Sequence, residues 1–141
     1  MLQLSNNNRV YRGVGILVVK NAKVLLGRRI GIRGNGTYGL PGGFKKNNES
    51  YLDCAKRELG EETGLIGLML FPIVFIHGSV DNYYFVDKIY YTSCNESIPQ
   101  VKEPDKVEEW NWYEFSNLPV PLYLPTQLAI NAYALKLKND I

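Results

Sequence analysis

Histidine occurs once, at His77, and cysteine twice, at Cys54 and Cys94, forty positions apart. That scarcity nearly excludes the zinc centres built from imidazole and thiolate ligands. Two cysteines do not make a disulfide framework, so both are read as reduced thiols of a cytoplasmic protein. No uninterrupted apolar run approaches the roughly 18 to 20 residues of a membrane-spanning helix. The opening MLQLSNNNRVYR has no basic stretch followed by an apolar core, so no export signal is expected. Internal repeats and low-complexity tracts are also missing. The most informative absence is of one charge: residues 1 to 48 contain no Asp or Glu against nine Lys or Arg, whereas residues 49 to 141 hold all fourteen acids and seven bases. Such a division suits an anionic ligand shared between cationic side chains and a metal held by carboxylates. The plainer alternative is that the charges fall unevenly along the chain and mix in three dimensions.

What is present fits one globular domain over residues 1–141, because 141 residues suffice for one core and are short for two. Residues 1–8 are polar and expected to be loose. VYRGVGILVV, from Val10, and the VLLG run that follows Lys20-Asn21-Ala22-Lys23 predict two strands joined by a tight turn. Seven of the thirteen glycines lie between Gly27 and Gly43, which marks a loop with unusual backbone dihedrals. LIGLMLFPIVFIHG reads as one long strand interrupted near Pro72, since proline cannot donate to a ladder. YYFVDKIYYTSC and EEWNWYEF read as two further strands. A helix is expected from Pro125 to Lys138, with Leu128, Ala129, Ala132 and Leu135 at helical spacing and Lys136 and Lys138 placed well for its dipole. The order of elements predicts a mixed sheet with helices on its faces, α+β or α/β.

Between the glycine-rich loop and the third strand lies SYLDCAKRELGEETG. Ser50 is placed to cap a helix, with Asp53 three residues on in a capping-box-like arrangement, and Gly64 to close it in a left-handed cap after about 13 residues. Leu52, Ala55 and Leu59 give it an apolar stripe. Glu58, Glu61 and Glu62 fall within an arc of about 100°. Carboxylates at such spacing repel by a few tenths of a kcal/mol per pair, and a divalent cation would reverse the sign. An all-oxygen ligand set suits Mg2+, or Mn2+ in its place. Arg57 can pair with a neighbouring glutamate and fix its orientation. A solvated acidic face is the ordinary reading of such a run.

The full spacing argues against that ordinary reading. Gly43, five residues, Glu49, seven residues, Arg57-Glu58-Leu59, one residue, Glu61-Glu62, one residue, Gly64-Leu65 resembles the Nudix box at all nine defined positions over 23 residues. LLGRR, GTYGLPGG and EPDKVEEWNWYEFSNLP also look like segments of the smaller, MutT-like Nudix hydrolases of the nucleotide pool, so the resemblance spans about residues 10 to 135. It implies an α/β fold, an α/β/α sandwich around a mixed sheet with a loop-helix-loop catalytic motif. It also implies attack by water on a nucleoside diphosphate linked to a further group X. The reaction fits the residues, because cleaving a phosphoanhydride requires charge neutralisation and a positioned, partly deprotonated water.

By that resemblance Glu58, Glu61, Glu62 and the Gly42 carbonyl hold metal. Glu49 lies nearby in a structural or accessory role, and Glu58 or Glu61 could instead serve as general base. Arg29, then Arg28, stand where the family contacts phosphate, beside Gly43; Arg33, Lys45 and Lys46 read more simply as solvated. Glu103 or Glu108 is a candidate for an added downstream carboxylate, against plain loop charges. Phe44, Tyr83, Tyr84, Trp110 and Trp112 are candidates to stack on a base, with Trp112 assigned to the core. His77 reads as a hydrogen-bonded strand residue. The expected partner is a small nucleotide, with neither a stable nucleic-acid partner nor a membrane; monomer and homodimer both stay open. Within the family a proline about 16 residues past the box goes with ADP-ribose hydrolysis, and Asp81 stands there. A tyrosine one or two residues later goes with dinucleoside polyphosphates, and Tyr83 is close. The first expectation is Mg2+-dependent conversion of a nucleoside triphosphate to the monophosphate and pyrophosphate. Cleavage of dinucleoside polyphosphates, nucleotide sugars, ADP-ribose or an RNA 5′-triphosphate is the alternative, and a non-catalytic nucleotide-binding module the last.

Overall fold

The β-branched run at the start of the chain becomes the middle of a sheet. In a computed structural model that describes residues 9–31 and 33–139, β1 (Val10–Lys20) is buried from residue 13 to residue 18, on both of its faces. Such a strand needs apolar side chains in both directions, which GVGILV supplies. The loose segment expected at residues 1–8 lies outside the described residues.

A two-residue turn, Asn21 and Ala22 with φ of 50° and 62°, leads into β2 (Lys23–Arg29). Two consecutive positive φ values belong to the tight hairpin turn whose twist matches paired strands. The hairpin pairs only at its closed end, Val19 with Val24 and Lys20 with Lys23. Beyond that point the strands take other partners. β1 pairs with β4 (Gly42–Phe44), and β2 pairs with β3 (Tyr38–Gly39) and β7 (Val107–Glu114). On its other side β1 runs parallel to β6 (Tyr83–Ser93), which pairs with the edge strand β5 (Phe71–Val80). The result is one mixed seven-stranded sheet.

The strand expected over LIGLMLFPIVFIHG starts only at Phe71, and Pro72 sits inside it instead of breaking it. β5 is the outermost strand, so the missing N–H need not meet a neighbour, and a register shift between Pro72 and Val74 absorbs the irregularity.

Helix α1 (Tyr51–Thr63) has the expected limits. Ser50 Oγ accepts a hydrogen bond from the Asp53 N–H at 3.0 Å, and Gly64 closes the helix at φ 77°. Its buried face differs from the expected stripe: Leu52 is exposed, and Cys54, Ala55, Leu59, Glu62 and Thr63 turn inward. With Val14, Ile16, Val18, Leu25 and Tyr90 the apolar members of that face form one core layer. Helix α2 (Leu124–Asn139) covers the opposite face, where Ala129, Ile130 and Tyr133 pack on Leu17, Leu26, Phe85 and Ile89. Leu135, assigned to the stripe from its spacing, is exposed; the aromatic ring of Tyr133 takes that role. The sheet thus lies between two helices, and the divergence of β1 from β2 opens a space at one end of it.

Candidate active site

That opening is a cavity of about 540 Å³. It is bounded by the β4 loop, the inner face of α1, the end of β2, the middle of β6 and the segment that leads into α2. A Cβ at position 43 would overlap the Glu58 carboxyl, so a larger residue there would displace that carboxylate. The acidic helix and the glycine loop are therefore in direct contact.

Arg57 organises the helix side. Its guanidinium donates to both carboxylate oxygens of Glu49, at 2.7 and 3.1 Å, to Glu58 at 2.8 Å, to Glu61 at 2.9 Å and to the Phe44 carbonyl at 3.2 Å. Paired forks of this kind fix orientation as well as charge. The Arg57 guanidinium and the Lys46 N–H hold the Glu49 carboxyl down to about 2, and Arg57 is raised in turn by Glu49, with Glu58 and Glu61 adding to the effect. Glu49 and Glu58 are thus locked on either side of one cation. Glu61 is half-exposed and lies outside the cavity lining, while Glu58 and Glu62 border it.

Glu62 is the strained member. Burial pushes its carboxyl up to about 8, with repulsion from Glu58 and Glu103 adding to the effect and the hydrogen bond from the Gly42 N–H, at 2.9 Å, opposing it. Burial likewise raises Glu58, against the pull of Arg57. Glu103 comes close because its loop is stapled to the end of α1: Gln100 donates to the Thr63 carbonyl, and Lys102 and the Trp110 indole donate to that of Glu62. One Glu103 carboxylate oxygen is buried with no hydrogen-bond partner. Among the described residues no three acids stand close enough to form a ready-made metal cage. Even so, desolvated acids, an orphaned carboxylate oxygen and an all-oxygen donor set fit a hard divalent cation that brings water or phosphate ligands of its own.

The opposite wall is basic and aromatic. Arg29 lies over the Tyr123 ring at 3.9 Å, with its Nε donating to the Arg33 carbonyl. Arg33 is held at 4.7 to 5.1 Å from the rings of Phe44, Tyr11 and Tyr83, of which Tyr11 and Phe44 stack on one another at 4.9 Å. The Tyr83 and Tyr123 hydroxyls meet at 2.5 Å.

Glu58, Glu62, Gly42, Gly43, Arg57, Arg29, Phe44 and Tyr83 of the expected site residues meet around the cavity. Arg28 does not, because strand alternation turns it to the other face of β2, where it pairs with Glu108 at 2.9 Å; Glu108 is thereby drawn away as well. Tyr84, Trp110 and Trp112 also lie outside the lining. Tyr84 bonds to His77 between β6 and β5, and Trp110 and Trp112 pack half-buried against the α1 core layer. Arg33 and Lys46, read as solvated, line the cavity, whereas Lys45 points to the Tyr51 ring. Unexpected members are Tyr11, which stacks on Phe44, together with Asp87, Lys106 and Tyr123 in the lining. Asp87 carried a legible signal: Tyr83, Phe85, Asp87 and Ile89 alternate along one face of β6, and an acid in that row interrupts an otherwise apolar surface.

The family model of the NUDIX domain matches residues 10–134. Among solved structures, a MutT NUDIX hydrolase from Burkholderia pseudomallei is 26% identical, with a TM-score of 0.82 over 87% of this chain and 97% of its own. A MutT protein from Methanosarcina mazei Go1 is 17% identical, with a TM-score of 0.79 over 93% and 97%. The NUDIX domain of Shewanella oneidensis NrtR, complexed with ADP ribose, is 19% identical, with a TM-score of 0.74 over 92% and 88%.

Proposed function

The chain belongs to the NUDIX family, hydrolases of nucleoside diphosphates linked to a further group X, and from that premise we propose that it converts a nucleoside triphosphate to the monophosphate and pyrophosphate with Mg2+. The observation that carries this reading is the set of groups that one cavity brings together: the carboxyls of Glu58 and Glu62, the Arg29 guanidinium, and the rings of Tyr83, Phe44 and Tyr123. A nucleotide fits with its phosphates toward the acids and its base among the rings.

The cation would be held by Glu58, Glu62 and the Gly42 carbonyl, with Glu61 completing the set from the same turn of α1; when bound it neutralises the anhydride oxygens and acidifies water. Arg29 binds phosphate oxygens from the side opposite the carboxylates and takes up charge as the anhydride opens. Arg57 is a positioning residue, which holds Glu58 through one carboxylate oxygen and leaves the other outside that ion pair. Should one of the two candidates serve as general base in place of holding metal, Glu58 is favoured over Glu61. Its carboxyl borders the cavity and is raised by burial, whereas that of Glu61 pairs with Arg57 outside it. Glu49 fixes Arg57 in turn.

A panel of nucleoside triphosphates, dinucleoside polyphosphates, nucleotide sugars, ADP-ribose and 5′-triphosphorylated RNA, assayed with Mg2+, tests this. Pyrophosphate and monophosphate released from triphosphates support it. Turnover confined to another class refutes the triphosphate assignment, and nucleotide binding without hydrolysis under any divalent metal refutes the enzymatic one.

A further inference from the structure

Asp87 has no role in the chemistry derived above, yet it lines the same cavity. It sits on β6 opposite Gly13 of β1, and its Oδ1 would stand 3.0 Å from a Cβ at that glycine. Among the described residues its side chain makes neither a hydrogen bond nor an ion pair. Its neighbours on the inward face of β6 are Tyr83, Phe85 and Ile89, all buried, and Leu40 adds a further apolar wall. An acid in such surroundings is partly desolvated and gains no protein partner, which costs free energy unless a ligand supplies one. Burial accordingly pushes the carboxyl up to about 7, opposed only by Arg29.

Register decides which part of a ligand would reach Asp87. Asp87 stands in the inward-facing row of β6 that begins at Tyr83, and both residues line the cavity together with Arg29. A nucleotide whose base lies among the rings of Tyr83, Phe44 and Tyr123 brings the edge of that base toward Asp87. The walls there are apolar and aromatic, which suits a flat base better than a sugar that needs a polar partner for each hydroxyl.

We propose that Asp87 is a specificity-determining residue that accepts hydrogen bonds from amino-group N–H donors on the edge of the substrate base, and so selects amine-bearing bases over those that lack the amine. The inference rests on the nucleotide reading of the cavity and adds to it which edge chemistry the site recognises. A buried acceptor left unpaired penalises the wrong base more than a mere gap does, so discrimination can be large.

Two nucleotide pairs test it, guanine against hypoxanthine and cytosine against uracil, since each pair differs by an amine. Turnover of the triphosphates gives kcat/KM ratios. Calorimetric binding of the non-hydrolysable α,β-methylene analogues gives Kd ratios that do not depend on catalysis. The wild-type protein is expected to favour the amine-bearing member of at least one pair by about tenfold or more. Asp87→Leu, which matches the side chain in shape without an acceptor, should bring that ratio close to one; Asp87→Asn, which keeps one acceptor oxygen, should fall between. Thermal melting of both variants checks that they fold. Equal treatment of each pair by the wild type, discrimination that survives in Asp87→Leu, an effect confined to ribo- against deoxyribonucleotides, or no measurable binding of any analogue overturns the proposal. If binding discriminates through Asp87 while nothing is hydrolysed, the assignment of Asp87 stands and the hydrolytic reading falls.

Discussion

Glu62→Gln should stabilise the metal-free protein while sharply lowering its turnover. Glu62 is 7% exposed, and its carboxyl is raised from 4.5 to about 8 chiefly by burial. A folded state with the higher pKa binds more protons than the unfolded chain throughout that window. Stability therefore falls as the pH rises from about 4.5 to about 8. At about 1.4 kcal/mol per pH unit, ionisation of Glu62 removes about 4 kcal/mol by pH 8 and about 1 kcal/mol by pH 5. Glutamine keeps the oxygen that accepts from the Gly42 N–H, at 2.9 Å, and carries no charge to desolvate.

The assay is thermal unfolding of both proteins in a chelator across that pH range. At about 3 °C per kcal/mol for a chain of this size, the variant should melt about 10 °C above the wild type near pH 8, and the gap should close to about 3 °C near pH 5. Glu49 does not blur the reading, because its carboxyl is depressed and its contribution is lost only below the ordinary carboxylate range. Saturating Mg2+ should stabilise the wild type by about 2.7 kcal/mol at a hundred times Kd, raising its melting point, and leave the variant nearly unchanged. In the same variant kcat should fall by about two orders of magnitude or more. A variant no more stable than the wild type near pH 8, or equally stabilised at every pH, refutes the claim that Glu62 is a buried acid awaiting a cation.

Arg29→Ala should raise KM by about ten- to a hundredfold through loss of a charge-assisted phosphate contact, with a smaller fall in kcat, as steady-state kinetics would reveal. An unchanged KM would remove Arg29 from the phosphate site. Ser50→Ala deletes the side-chain acceptor at the start of α1 and should cost about 1 kcal/mol in chemical denaturation, with kcat unaltered because the catalytic acids lie two turns further on.

The parts of the fold and site that were legible in the sequence are those written within a few residues of one another. The cap and stop of α1, the two-residue turn at Asn21-Ala22 and the spacing from Gly43 to Leu65 depend on local geometry, and the structure has each element where its residues require it. Arg28 and Arg29 show the limit. Adjacent in sequence, they are separated by the alternation of β2, and only the strand's neighbours decide that Arg29 faces the cavity while Arg28 meets Glu108, 80 positions away. Pro72 and Leu135 show it again. A proline is tolerated or not according to whether its strand is an edge, and a leucine at the right helical angle is buried only if the sheet extends beneath it.

The charge division along the chain finds its physical meaning in the same contacts. Arg29, Arg33 and Lys46 come from the acid-free first 48 residues, and Glu58, Glu62, Asp87 and Asp105 from the remainder, yet all seven border one cavity. Glu49 is compensated by the protein itself, through Arg57 and the Lys46 N–H. Glu58 and Glu62 stay raised by burial despite Arg57 and Gly42, and Asp87 stays raised despite Arg29. A fold optimised for stability alone would replace such groups with apolar residues of similar shape. Retaining them around one space leaves the protein short of a cation at Glu58 and Glu62 and of hydrogen-bond donors at Asp87. A metal-bound nucleotide with an amine on its base supplies both.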